Sequence, residues 1–506
     1  MTPARACALW LLALAACGCG GDFRPQIFET TGASAAPLDQ VLDLEVSLSH
    51  LQVPGTVSRG ADLEIRIDID GHGPGKHPAR VTFGPARVDR RTAVVEDLSV
   101  GPPSVLVSGD GWSTTRIGPL RIEGALFDLL LDGTTTGGGW SVSGRSWDSQ
   151  SGLEDTFRGW RRHRFLVAGS SFLSTLGRVA LVSLVKDSRI EVQHNVVQVS
   201  SDAVLRVTGG SVFAINRLGF DNMQRLDPAS GFLTAWQAPT GKLSNPHDVL
   251  VTGDRGFVTR YEPPYDDVAI FDLARGTTVG VVPLGNLTTN PDGTPRPDRM
   301  READGVVFVG LQDIDRTFSR YGEGRLAVLD PVLGEVVGDI PLGGRNPGVI
   351  EVLAEVDGVT RLYVALGGIF PGTVAQELSG GVVVVDAFAR TVERWALDDD
   401  DAGGNVGAFA MASPDLGYVV VSDAAFGNRL LAFDPSGGVV RRTVLADAGF
   451  TPEIEVDSRR VLAVPDRSPF APALCLYRVP FDPADTEALL GCGQLELPPF
   501  SVEALD

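Results

Sequence analysis

The stretch FAINRLGFDNMQRLDPASGF (residues 213–232) decides the fold. It reads as an apolar strand, a polar loop, a second alternating strand, and a turn of the form Asp227-Pro228-x-x-Gly231. Two-residue alternation between turn residues is the pattern of antiparallel strands, because successive side chains point to opposite faces. The same grammar returns in GFVTRYEPPYDDVAIFDLARG (256–276), in VVFVGLQD with RLAVLDPVLG (306–313 and 325–334), in LYVALGG with GVVVVDAFAR (362–368 and 381–390), and in YVVVSDAAFGNRLLAFDPSGG (418–438).

Aligning these units gives FAIN (213–216), FVTR (257–260), FVGL (308–311), YVAL (363–366), YVVV (418–421) and VLAV (461–464) as one kind of strand. The strand that follows starts at 222, 267, 325, 381, 429 and 473, at spacings of 45, 58, 56, 48 and 44 residues. Repeats of roughly 40–50 residues with four strands each are propeller blades. Six are complete. FLVA (165–168), 178–183 and 189–193 supply three strands of a seventh, and 500–505 supplies its missing first strand. A blade built from both ends of the chain closes the ring and leaves no sheet edge open. The expected fold is therefore all-β, with a seven-bladed propeller of four-stranded blades over 163–506. The other arrangement has six blades, with 165–193 assigned to the preceding domain.

Residues 41–162 alternate as well. Leu63, Ile65, Ile67 and Ile69 interleave with Glu64, Arg66 and Asp68, and turn clusters such as Gly71-His72-Gly73-Pro74 separate the runs. Short strands at this spacing predict a small β-sandwich-like domain ahead of the propeller.

Before it, Met1 to Arg5 and the apolar run ACALWLLALAA (6–16) have the length of a signal-peptide core rather than of a membrane span. The run ends Leu14-Ala15-Ala16-Cys17, which resembles the lipobox of bacterial lipoproteins. That resemblance implies a signal peptide over 1–16, lipid on Cys17 and an aperiodic tether over 17–40. The alternative is an ordinary cleaved signal that happens to end near a cysteine. The expectation is an extracytoplasmic protein held at a membrane, the outer membrane by preference, through its lipid. Cys475 and Cys492 lie in folded sequence; a hairpin turning near Pro483 would set them face to face, and a disulfide is expected there, with two buried thiols as the alternative.

Over 163–506 the Tyr/Phe-Val-x-x strands and Leu/Phe-Asp-Pro-x-x-Gly turns resemble bacterial β-propeller repeat proteins of the YVTN and LVIVD kind, many of them lipoproteins. Phe257-Val258-Thr259-Arg260 comes nearest to the literal YVTN motif. The resemblance implies the fold and a lipid-anchored envelope protein, with no particular activity.

The net charge of −21 argues against nucleic acid as a partner, since phosphate binding needs basic stripes. Asp227, Asp272, Asp330, Asp386 and Asp434, each closing a third strand, read as turn caps rather than a metal ring. The acidic pairs and runs at Asp68, Asp70 and 398–401 lack a full calcium ligand set and read as turns. Loop length says more. Connections from second to third strands, and from blade to blade, share one face and are elaborated; those on the opposite face are short. Long loops on one rim of a rigid scaffold are where binding sites sit. That face collects Asn216, Arg217, Asp221, Asn222, Asn245, His247, Asp248, Arg260, Tyr261, Gln312 and Asp313, a set suited to a small anionic or sugar-like ligand. The competing reading is that these groups bond to one another where blades meet. No cofactor or metal motif is recognised, and the ligand, protein or small molecule, is not named by the sequence. Two functions remain: a non-catalytic binding scaffold, or a lactonase-like hydrolase with a metal at the channel mouth.

Overall fold

The computed structural model describes the backbone of the strands between Val41 and Arg161, together with residues 163–505 except 172–174, 185–188, 229–230, 355–357, 373 and 459. The signal, lipid-anchor and tether assignments, Cys17 included, lie outside the described residues. Eight strands from Val41–Leu48 to Glu154–Arg161 hydrogen-bond into one antiparallel sheet, and Thr92–Ala93 pairs separately with Val107–Ser108. The β character expected of 41–162 is present in these described strands.

The rest is the expected ring of seven four-stranded antiparallel sheets. Blade 1 comprises Ala203–Thr208, Ser211–Asn216, Asn222–Asp227 and Leu233–Pro239. Blades 2 to 6 follow in chain order, beginning at Pro246–Thr252, Pro297–Ala303, Pro347–Ala354, Asn405–Ser413 and Glu455–Val456. Blade 7 takes its first strand from Pro499–Ala504, which pairs antiparallel with His163–Gly169 (Phe165 opposite Ala504, Val167 opposite Val502); Leu176–Leu184 and Ile190–Ser200 complete it. The terminal strands thus partner each other, and the seven-bladed arrangement prevails over the six-bladed one.

Burial is deepest in the second and third strands of each blade and falls toward the outer edge. Every residue of the second strand Ser211–Asn216 is buried, because neighbouring blades cover both faces. The outer strand Glu335–Pro341 alternates, with one face in solvent. The core lies between blades: Phe213, Ile215 and Met223 of blade 1 pack on Val249, Val258, Ala269 and Phe271 of blade 2. Phe213 meets Phe271 edge-on with centroids 6.1 Å apart, a geometry favoured by the ring quadrupoles.

The turn aspartates cap as expected. Asp272 Oδ1 accepts from Ala274 and Arg275, Asp330 Oδ1 from Val332 and Leu333, Asp386 Oδ1 from Ala389, and Asp434 Oδ1 from Ser436 and Gly437. Asp398 likewise caps the short helix Asp399–Ala402. Cys475 and Cys492 stand directly opposite one another in blade 6 and form a disulfide.

Candidate functional site in the axial channel

The elaborated face contains the residues singled out from sequence, and nearly all of them bond within the fold. Asp221, itself at positive φ, accepts the backbone N–H of Leu243 at 2.7 Å and of Asn245 at 3.0 Å, pinning the link between blades 1 and 2. Asn216 accepts from Ser200 N at 2.7 Å and donates to Asn222, which donates onward to Phe220 O. Arg217 pairs with Asp202 at 2.8 Å, and Arg260 forms a two-pronged pair with Asp267 at 2.6 and 2.7 Å. Asp313 gathers the loop after blade 2, accepting from Thr289 N, Asn290 N and Asn290 Nδ2 and from the hydroxyls of Thr288 and Thr289.

His247 sits in a closed circuit. Its ring stacks on Tyr261 at 3.9 Å; Nδ1 lies 2.8 Å from Asp298, Asp298 accepts from Gln312, and Gln312 accepts from the Tyr261 hydroxyl. Nε2 faces Asn245 Nδ2 at 3.2 Å. Asn245 Oδ1 already accepts from Leu218 N, so its amide nitrogen donates to the ring. That fixes the tautomer with the proton on Nδ1 toward Asp298, and the Nε2 lone pair is occupied. A general base needs that lone pair free. Burial holds the imidazole below its ordinary range, against the pull of Asp298.

Asn245 also has counterparts. Asn245, Arg296 and Asn346 all adopt positive φ immediately before the proline that opens a first strand. Their carbonyls accept from Tyr261, Gln312 and Gly367 respectively. Each bond ties the end of a blade link to the second strand of the blade it enters, a fastening repeated in three successive links. Between its rim groups, Arg296 is sandwiched by the rings of Tyr261 and Phe318, each 4.8 Å away, and pairs with Glu262.

Asp248 is the exception, because it leaves the rim for the axis. First strands neighbour one another around the ring and line the channel. There Arg206, almost fully buried, donates through Nε to Asp248 and through Nη1 to Glu503 at 2.9 Å and Glu453 at 3.3 Å. Asp248 also accepts from Met300 N at 2.6 Å. Glu453 receives Arg299 at 2.9 Å, the Ser501 hydroxyl and Val502 N. Glu503 additionally accepts from Val207 N at 3.1 Å. This end of the cluster is saturated.

Beside it lies a cavity of about 280 Å³ whose charged lining is Arg206, Arg301, Glu351, Glu455 and Glu503. Two guanidinium groups against three carboxylates leave a formal excess of one negative charge. Glu351 and Glu455 take no hydrogen bond or ion pair among the described residues, and the buried Nη2 of Arg206 has no acceptor. Burial raises the Glu351 carboxyl, and raises Glu455 further with help from Glu503, Glu351 and Glu453. Glu503 is pushed up to about 7 by burial, which outweighs Arg206. Desolvation favours the neutral acid, and like charges nearby add to it. Among the described residues, no group of three or more His, Cys, Asp or Glu side chains is placed to hold a metal ion.

Sequence reasoning selected Asp248 but passed over the rest of this site. The signal was available. Arg206, Arg299, Arg301, Glu351, Glu455 and Glu503 are charged residues at alternate positions of strands that a propeller places innermost.

No protein-family model matches the chain, and no curated protein matches it. Among solved structures it is similar to a putative 6-phosphogluconolactonase from Bacteroides fragilis, with 12% identity, 68% of this chain and 98% of that chain covered, and TM-score 0.46. It is also similar to the WD40 repeats of RRP9, with 10% identity, coverage of 59% and 82%, and TM-score 0.43. A third likeness is to dihydro-heme d1 dehydrogenase NirN in complex with DHE, with 13% identity, coverage of 72% and 73%, and TM-score 0.42.

Proposed function

We propose that the chain is a lipid-anchored, extracytoplasmic binding protein whose propeller takes a small ligand into its axial channel without catalysing a reaction on it. The observation that carries this reading is the channel cavity, where the buried Nη2 of Arg206 has no acceptor and the half-buried Glu351 and Glu455 have no donor among the described residues. Buried polar groups in folded proteins are normally bonded, and an unpaired one costs roughly 1–3 kcal/mol. A site that keeps several of them open is arranged for something that enters. The absence of a free base at His247, with its Nε2 already bonded, weighs toward binding over hydrolysis. Anchoring rests on sequence: the apolar run ending Leu14-Ala15-Ala16-Cys17, and the likeness to YVTN- and LVIVD-type lipoproteins. The Cys475–Cys492 disulfide is in keeping with an oxidising compartment such as the periplasm or the outer surface of the outer membrane.

Two measurements test this. Acyl labelling and membrane retention should both disappear in Cys17→Ser; retention in that variant defeats the anchor. Native mass spectrometry of the full chain, extracted gently from its own membrane, should show a non-covalent small molecule at constant stoichiometry. If none is bound, and the protein instead opens lactones with a retained divalent ion, the binding reading falls.

A further inference from the structure

The channel cavity gives information about the chemistry of its occupant. Its wall presents three kinds of group. Glu351 and Glu455 offer carboxylate oxygens with no donor from the described residues; Arg206 Nη2 offers a buried donor with no acceptor; Val207, Val249, Leu250 and Ala504 supply apolar surface. Glu503 belongs to the wall but is engaged with Arg206 and Val207 N. Arg301 donates to its neighbour's carbonyl, Met300 O, and lines the same enclosure.

Each ligand class can be weighed against that wall. An anion meets Arg206 but also a majority of carboxylates. A neutral sugar satisfies hydrogen bonds but offers no counter-charge to the excess carboxylate, which then has to be neutralised by a proton. A bare divalent ion needs several oxygen ligands at about 2–2.6 Å, and no such set exists among the described residues. A primary ammonium group matches best, because its three donors serve two carboxylates that lack any. It also cancels the single excess charge. The open Arg206 nitrogen adds a further requirement, an acceptor oxygen on the same molecule. The volume, at the lower edge of the roughly 300–1,000 Å³ typical of ligand pockets, limits the ligand to about the size of an amino sugar or a single amino acid.

We propose, resting on the channel-binding reading above, that the axial cavity is a site for a small primary-ammonium compound that also carries an acceptor oxygen, with Glu351 and Glu455 taking the ammonium and Arg206 Nη2 the oxygen. Without a cation beside them, burial and mutual repulsion favour the protonated form of these carboxylates. Entry of the ammonium group releases that proton.

The test is calorimetry on the full chain in detergent, with D-glucosamine and L-lysine as probes. Glucose, N-acetyl-D-glucosamine and calcium chloride are the comparisons. At least one ammonium probe should bind, and acetylating the amine should weaken glucosamine about tenfold or more, the least expected from losing a charge-assisted hydrogen bond. The heat should differ between buffers of different ionisation enthalpy, reporting the released proton. Glu351→Gln and Glu455→Gln should each weaken binding by a similar factor without lowering the melting temperature, and Glu455→Gln should reduce the buffer dependence. Glu335→Gln, exposed on an outer strand, should change nothing. Failure of both ammonium probes to bind overturns the proposal, as does tighter binding of calcium or of the acetylated sugar. Ammonium binding that survives both channel substitutions places the site elsewhere and also overturns it. A native-mass ligand found together with failed ammonium probes would sink only the ligand class; no native-mass ligand would sink the channel reading itself.

Discussion

The rim around His247 and the channel around Glu455 are built from the same residue types, yet the two regions are opposite in kind. At the rim, Asp221, Asn245, His247, Asp298, Tyr261 and Gln312 consume one another's hydrogen bonds. In the channel, Arg206 saturates Asp248, Glu453 and part of Glu503, but Glu351 and Glu455 beside it are left over. Residue type identifies polar residues. Partnership separates those that hold the fold from those that await a ligand.

The comparison is broken most forcefully at Arg206, where the channel itself is structural. Arg206→Met should destabilise the propeller by about 3–5 kcal/mol, since it strands three buried carboxylates. Denaturant unfolding followed by tryptophan fluorescence measures this; a loss below about 1 kcal/mol would mean the carboxylates simply protonate and the hub is dispensable. At the rim, Asp221→Ala removes the acceptor of two backbone N–H groups and should cost about 2–3 kcal/mol. If instead it leaves stability intact and abolishes ligand binding, the rim is the site and the comparison inverts.

Much of this was legible in sequence, and the reasons differ by region. The blades could be read because their second and third strands carry period-two alternation and end in Asp turns, both local signals. The closing strand could be read because Val502 and Ala504 repeat that alternation with no neighbour in sequence to pair with. The rim residues could be named but not assigned a role, because the N–H groups that Asp221 accepts lie 22 and 24 residues away. The positive φ of Asn245, repeated at Arg296 and Asn346, has no common residue type and is visible only as a conformation. The channel was missed for a different reason. Its carboxylates come from first strands spread between Glu351 and Glu503, and each alone looks like the wet face of an ordinary strand. Only ring closure makes them neighbours.

Substitution at Glu455 sharpens the contrast more gently. Its neutral isostere, Glu455→Gln, should leave the fold intact and raise stability at pH 8 by roughly 1 kcal/mol, because it removes a half-buried charge that has no partner among the described residues. Rim substitutions should show no such gain. A clear loss at pH 8 would reveal a protein partner for this carboxylate and remove it from the site.

The smallest effect is a difference in sign with pH. Carboxylates whose folded pKa is raised bind more protons folded than unfolded, so they stabilise fully below the ordinary value near 4.5. That contribution is lost as pH rises through the folded value, about 7 for Glu503. His247 runs the other way: its folded pKa is lowered, so its contribution is present above the ordinary 6.5 and is lost as pH falls through the folded value. Between pH 4.5 and 7 the channel carboxylates should therefore make the protein less stable with rising pH, and His247 should make it more stable. Urea midpoints across this range should separate them, with Glu455→Gln flattening the falling part and His247→Gln the rising part. If both variants flatten the same limb, the two clusters titrate as one unit, and the division between a closed rim and an open channel does not hold.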